Sequence, residues 1–497
     1  MDAKKWKRIL WKNSEKRWLI GLLIAASIWG FVDVRRRGHL HIPAEHRTDL
    51  TVYTEAGAAF FDGRAPYDVA NARGWTYLYP PLLAMLMAPL HRFAEPNQVT
   101  VWFFISLVFC WGCWRECRRL IDVVCQSDPV AAAAWMRWRA WFGTAAVVTA
   151  LLPTLNCLQR GQVGIVKLYF LLLGARLLLA GRSWLPWTIG GIVLALPAVL
   201  KVVPAMPVAF LMVLLLADLL AGLRRGLADS EAALLPRRFA FSAVGVIAGV
   251  LLFALLIPGA LVGWRANLGY LNTWGHFMLT KADNGGMDPR SGNSHSARNQ
   301  SLQNAAYRLG NFATYMMSAG PDDRLVENFA PPPMAMDDHT ATRLLFLSRA
   351  GMILALLALG ATLVRGDGRR LNLAVGFSLS CVAMLTVSPV ARGHYFLMLA
   401  PAILLVPLWL VCHGRPRAAG IMASVLPPLC VLHYCLMPVA GRIGLLGLGT
   451  TAWLMAAMVI IARTQANSAA NSCSPSPELP LASVAPPLCG NFTPNIG

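Results

Sequence analysis

The sequence predicts an all-α protein, a polytopic membrane helical bundle of about 12 spans with one further re-entrant or interfacial helix. Three observations predict it. Hydrophobic residues make up 56% of the 497-residue chain and charged residues 14%, with mean hydropathy +0.52. A soluble domain carries about a quarter charged residues. Apolar runs near the ~20 residues that a helical span needs recur along most of the length. The Arg and Lys behind the net charge of +20 lie mostly in short gaps between those runs, as residues that hold membrane topology do. That placement argues against a nucleic-acid partner and for the membrane itself.

Residues 1–17 carry seven Lys/Arg and read as a basic cytoplasmic N-terminus. Residues 18–33 read as an uncleaved signal anchor, because what precedes them is too long and too rich in Trp and charge for a signal peptide. Residues 18–462 form one transmembrane domain. Its further spans are expected near 98–114, 141–155, 163–180, 186–201, 204–220, 239–257, 344–364, 371–388, 395–412, 418–436 and 445–462. The apolar run 77–93 is opened by Pro80 and Pro81 and interrupted by Pro89. If it does not cross, the gaps 115–140, 181–185, 221–238, 365–370 and 413–417 all face the cytoplasm. They hold 5, 1, 4, 3 and 2 Lys/Arg, against one each in 156–162, 201–203, 389–394 and 437–444 on the other side. The positive-inside rule selects that arrangement, so 77–93 belongs to the outer face, where covering protein permits such an element. The long loops 34–97 and 258–343 face outward. Arg35, Arg36 and Arg37 run against the rule: either the seven Lys/Arg of the N-terminus outweigh them or they bind lipid phosphate. The Pro/Ser/Ala-rich tail 463–497 reads as a disordered cytoplasmic segment. Of the 11 Cys, Cys110, Cys113 and Cys117 flank Trp111 and Trp114 on an apolar helix. They read as small apolar side chains, with no metal site and no disulfide framework.

This topology gathers the polar interruptions on one side. Asp49, Asn156, Arg160, Gln162, Lys201, Asn299, Gln300, Arg308, Arg392 and His394 all fall at the outer face. Ionisable groups at membrane depth are costly and mark function by default. Arg160, Lys201, Arg308 and Arg392 suit a phosphate. Gln162, Asn299 and Gln300 suit the hydroxyls of a sugar. Asp49 can take a proton, and His394 can share proton transfer or bind phosphate. The set fits sugar transfer from a lipid phosphate: the phosphate leaves readily, and one carboxylate activates the acceptor hydroxyl. A single carboxylate implies attack opposite the leaving group and inversion, unlike the two close carboxylates of retaining hydrolases. Blander readings stand beside these. Asp49 could be a helix N-cap, Lys201 could snorkel to the interface, His394 could be a polar residue at a helix start, and "NQSL" could be a turn.

The stretch "TDLTVYTEAGAAFFDGRAPYD" resembles the first outer loop of glycosyltransferase family 87, the polyprenol-phosphate-mannose-dependent mannosyltransferases. The shared features are an acid, a Tyr four residues on, then a Gly and a Pro-Tyr. "YLYPPLLAMLMAPL", "GQV" at 161–163, "LKVVP" at 200–204, "NQSL" at 299–302 with Arg308, and "SPVARGHY" at 388–395 are similar to further landmarks in the same order. The resemblance implies a type C glycosyltransferase fold with Asp49 as catalytic base and Tyr53 at the donor. It implies a polyprenyl-phosphate sugar, often mannose, as donor and a lipid or glycan acceptor. No cofactor, nucleotide sugar or Asp-x-Asp metal site is expected, and the location would be a bacterial inner membrane with the site facing outward. The chain departs from the family at Gly164, where Asn is frequent, and at Ala391-Arg392, where Ser-Trp is frequent. The competing readings are a transporter or flippase of lipid-linked sugars, which wants polar groups through both leaflets, and a scaffold subunit.

Overall fold

The computed structural model describes residues 21, 23–37, 48–70, 76–224, 232–282, 299–302, 305, 338–365 and 369–473. The N-terminal segment 1–17, Arg308 and the tail beyond 473 lie outside them. The described chain is helical, with two isolated antiparallel bridges and no strand. In order the helices are α1 (23–37), α2 (Leu50–Phe61), α3 (Pro81–Met87), α4 (Glu95–Ser127), α5 (Pro129–Gln159), α6 (Gly164–Ala180), α7 (Trp184–Leu200) and α8 (Ala205–Arg224). Next come α9 (Leu235–Val250), a π-helical turn, α10 (Ile257–Val262), α11 (Trp264–Ala282) and α12 (Asp338–Leu363). The last are α13 (Arg369–Val387), α14 (Ala400–Cys412), α15 (Pro416–Cys435), α16 (Met437–Arg442) and α17 (Leu445–Cys473).

Nine helical stretches among the described residues are long and apolar enough to cross a membrane. The other three expected spans are α1, α6 and α7. The last two have 17 residues each, about 25 Å at 1.5 Å per residue. The run 77–93 forms α3, of 7 residues, and a 3-10 turn Ala88–Arg92, too short to cross. Its Pro81 takes the first helical position, where no N–H is needed. Tyr77 pins its start: the hydroxyl donates to Pro80 O at 2.6 Å and accepts from Ala84 N at 3.0 Å. Arg35, Arg36 and Arg37 end α1, where the helix dipole favours cations, and Arg37 pairs with Asp33 at 2.5 Å.

Two expectations need correction. The gap 115–140 is not a loop. Helices α4 and α5 continue through it as a hairpin, broken only at Asp128, whose carboxylate accepts from Val130 N and Ala131 N. At 33 residues, α4 is about 50 Å long. The polar residues hid a helical stripe, since Cys117, Leu120, Ile121 and Val124 are buried on it. The tail is likewise helical as far as Cys473. There Thr464 and Ser468 hydrogen-bond carbonyls four residues back instead of competing with the helix.

Helix α13 is the most enclosed span, with α14 beside it. Its buried Asn372 is satisfied: Trp409 Nε1 donates to Oδ1 at 2.6 Å, and Nδ2 donates to Leu363 O at 2.9 Å. Helices α7 and α9 cross at small residues, as membrane helices do. A Cβ on Gly191 would stand 2.7 Å from Val246 N, and one on Gly249 2.7 Å from the Ala195 methyl.

Two buried carboxylates tie the helices at one end of the bundle. Glu116 accepts from Arg119 at 3.1 Å and from Arg176. Asp218 accepts from Arg238 at 2.5 Å and from Arg369. The site lies at the opposite end.

Candidate active site

Three chain reversals and one short helix build the site. Helix α5 ends at Gln159, and its C-cap is Arg160. Gly161 follows with φ +64°, the left-handed conformation that glycine adopts at helix ends. The turn folds back on the segment before α2. Asp49 N donates to Arg160 O at 2.9 Å, and Thr48 Oγ1 donates to the same oxygen at 3.4 Å. A Cβ on Gly161 would stand 2.7 Å from the Leu50 Cβ. Gly161→Ala is therefore expected to cost about 1–3 kcal/mol through backbone strain and this clash, and to lower activity by displacing Arg160. Thermal unfolding in detergent with an activity assay checks both. Wild-type values in each would remove the turn from this account.

Asp49 occupies the N-cap position of α2, but its side chain makes no capping bond. The neighbouring Thr48 hydroxyl accepts from Leu50 N at 3.2 Å instead. The Asp49 carboxylate, 8% exposed, turns into the bundle. Arg160 grips it with two parallel bonds, Nε to Oδ2 at 3.1 Å and Nη2 to Oδ1 at 3.0 Å. Gln162 Nε2 donates to Oδ2 as well. Burial pushes the carboxyl up. The charge and hydrogen bonds of Arg160, the charge of Arg392 and the Gln162 bond outweigh it, so Asp49 is held below its usual range. It is a carboxylate at neutral pH.

Lys201 ends α7 and does not snorkel. It is 7% exposed. Its Nζ donates to the Tyr79 hydroxyl at 3.0 Å and to the Tyr395 hydroxyl, and lies over both rings at 4.6 and 4.4 Å. Tyr53, one turn into α2, donates to Tyr79 at 3.4 Å and so links the Asp49 segment to the lysine. A 3-10 helix, Gly393–Leu399, follows α13 and carries His394 and Tyr395. His394 is 1% exposed, packs edge-on against Tyr395, and neither ring nitrogen finds a hydrogen-bond partner among the described residues. Arg392 occupies the N-cap position of that helix, and its side chain makes no capping bond.

Asn299 and Gln300 come to the same end with different work to do. Asn299 Oδ1 accepts from Ser301 N at 3.1 Å and Ala391 N at 3.0 Å, and its Nδ2 donates to Pro389 O at 3.3 Å. Gln300 N donates to Ala391 O at 2.6 Å, and Gln300 Nε2 donates to Gly441 O at 2.9 Å. These amides staple a piece of the second long loop to the backbone before Arg392. They position that cation; the bonds seen are to protein, not to an open site.

The structure thus joins Asp49, Tyr53, Arg160, Gln162, Lys201, Arg392 and His394 at one end. Arg308 is outside the described residues. Sequence reasoning missed Tyr79, Tyr395 and Lys167. Lys167 was detectable: it is a charge in the apolar run "GIVKLYFLLLGA", the same signal that singled out Lys201. No group of His, Cys, Asp and Glu among the described residues could hold a metal.

The model of glycosyltransferase family 87 matches residues 77–389, more than half of the 497 residues. The chain belongs to glycosyltransferase family 87. No curated protein and no solved structure matches it. This multi-pass membrane glycosyltransferase carries Asp49 before the matched region and Arg392 and His394 after it. Arg160 holds Asp49, the Tyr395 ring packs against His394, and a backbone bridge joins Arg392 to Asn299.

Proposed function

We propose that this glycosyltransferase moves a hexose, mannose first among candidates, from a polyprenyl-phosphate donor to a hydroxyl of a lipid or glycan acceptor, with inversion. The reaction takes place at the outer face of a bacterial inner membrane. The single observation that carries the reading is the charge balance: Arg160, Lys201 and Arg392 converge with one carboxylate, Asp49, at one end of a lipid-embedded bundle. Buried cations in excess call for an anionic ligand. A headgroup carried on a lipid reaches such a place from the bilayer.

In this reading the acceptor oxygen attacks the anomeric carbon, and its proton passes to Asp49. The bond from that carbon to the phosphate oxygen breaks, and the phosphate leaves with a second negative charge. Fixed cations stabilise that developing charge more than they stabilise the donor, which is what lowers the barrier. Arg160 serves both halves. Its Nε and Nη2 hold Asp49, and its charge adds to the positive potential that would receive the phosphate. His394, whose ring nitrogens bond nothing among the described residues, would bond a sugar or acceptor hydroxyl. A flippase would want unpaired polar groups through both leaflets. At the far end the buried charges are already paired through Glu116 and Asp218.

The test is a panel. Purified protein is incubated with polyprenyl-phosphate hexoses of different sugar and with cell-envelope lipid and glycan acceptors. Transfer is expected from one donor, with the product's anomeric configuration inverted by NMR. Flipping of a lipid-linked sugar with no donor consumed would overturn the reading.

A further inference from the structure

Two buried polar groups without a hydrogen-bond partner meet at one glycine. The first is the His394 ring. The second is the hydroxyl of Tyr434, on the last turn of α15, which bonds nothing among the described residues. That oxygen lies against the backbone of Gly393: a Cβ there would stand 2.7 Å from it. Gly393 opens the 3-10 helix between Arg392 and His394. Arg160 and the Cys157 thiol, at the outer end of α5, lie within electrostatic reach of the same hydroxyl.

The direction of this side chain is unusual. Leu432 and Leu436, on either side of Tyr434, are 43% and 54% exposed, so this turn of α15 borders lipid. A tyrosine near the end of a membrane helix ordinarily turns its hydroxyl out to the interface, where water satisfies it. Tyr434 turns its hydroxyl inward, to the end of the bundle that holds Arg160. A buried hydroxyl left unbonded is destabilising, and Phe would fill the same space without that penalty. A ligand that bonds the oxygen removes it. The chemistry of the oxygen says which kind of ligand. It is neutral, it donates one hydrogen bond and it accepts others. A phosphate oxygen only accepts, and charged groups nearby serve it better. A sugar hydroxyl donates and accepts, and so matches a tyrosine. The hexose hangs from the phosphate, so it lies beside the same cations, as Tyr434 does.

We propose that Tyr434 is a specificity-determining residue: its hydroxyl, seated over Gly393, bonds one hydroxyl of the transferred hexose. This rests on the reading of the donor as a polyprenyl-phosphate hexose. Tyr434 then selects which hexose the enzyme accepts.

The experiment is a double-mutant cycle in which one partner is the substrate. Affinities of the full chain in detergent are measured for a short-chain polyprenyl-phosphate mannose, for its monodeoxy analogues, each lacking one hydroxyl, and for the polyprenyl phosphate without sugar. Wild type should bind one analogue about 10–100-fold more weakly than the parent, the usual loss when a buried hydroxyl is left unpaired. Tyr434→Phe should weaken the parent about tenfold and bind that one analogue as well as it binds the parent. Its preferences among the other analogues, and its affinity for the phosphate without sugar, should stay at wild-type values. Gly393→Ala, whose methyl displaces the hydroxyl, should lose the same discrimination, and it decides the matter if Tyr434→Phe does not survive solubilisation. If neither variant does, the wild-type panel decides, and equal affinity for every analogue sinks the proposal. A Tyr434→Phe variant that weakens all the ligands by one factor shows a packing role only; it overturns the proposal and spares the donor reading. So does a variant that binds every ligand as wild type does. Wild type that binds no polyprenyl phosphate, with or without sugar, overturns the donor reading and this proposal together.

Discussion

Asp49→Asn is expected to lower sugar transfer by about 10²–10⁴-fold, the usual contribution of a positioned general base, while donor still binds. The amide has nearly the shape of the carboxylate and keeps an oxygen for Arg160 and Gln162, so the turn at 160–162 should hold. What it cannot do is take a proton. Donor affinity by titration and transfer by product formation separate the two effects. Equal loss of both would mean that Asp49 only braces the site.

The pH profile sharpens this. Burial raises Asp49, but Arg160, Arg392 and Gln162 lower it further, so in the free enzyme it loses its proton below the usual ~4. The active form is the deprotonated one. The acid limb of kcat/KM should therefore lie below about pH 4, with a flat profile above it as far as this group is concerned. The sign for stability is the same: the ion pair's contribution is full above the unfolded pKa and is lost as pH falls through the lowered folded value. Donor phosphate changes the balance, since an anion beside Arg160 competes for its charge and raises Asp49. The acid limb of kcat should then lie higher than that of kcat/KM. A stronger base once the donor is in place would couple proton abstraction to occupancy. Coincident limbs would show that the phosphate binds elsewhere.

The membrane class was legible because cost made it so, and the same topology put Lys201 and His394 at the end of the bundle where Arg160 holds Asp49. An apolar run long enough to span admits few folds, and a charge inside one demands a reason. The same logic applied evenly would have found Lys167, which lies in the run read as the span 163–180. Other features carry no such signal. The hairpin at 115–140 looks polar because its outer face is, while the stripe of Cys117, Leu120 and Val124 becomes visible only once α4 is placed against its neighbours. Asn299 and Gln300 have the right chemistry for a sugar and for a backbone, and residue type does not choose between them. The grip of Arg160 on Asp49 depends on the reversal at Gly161. Sequence put both residues on one face, yet gave no hint that the cation assigned to phosphate would hold the base.

Asp218→Ala is expected to do the opposite of Asp49→Asn: destabilise the protein by about 3–5 kcal/mol and leave transfer per folded molecule unchanged. Asp218 is fully buried and joins three helices. It lies on α8, takes Arg238 from α9 at 2.5 Å and Arg369 from α13, and its own carbonyl accepts from Arg369 Nη2 at 3.4 Å. Removing the carboxylate leaves two guanidinium groups in low dielectric without it, which is where the cost arises. Replacing all three by apolar side chains of similar volume should recover much of the loss, because such a network is costly to desolvate in the first place. Asp218 is 13 residues along α8 from Ala205, about 20 Å from the Lys201 end, so the site should not feel it. Thermal unfolding and transfer normalised to folded protein give the two readouts. Loss of transfer without loss of stability in Asp218→Ala would place function at the wrong end of the bundle, since two buried carboxylates with similar arginine partners would then have exchanged roles.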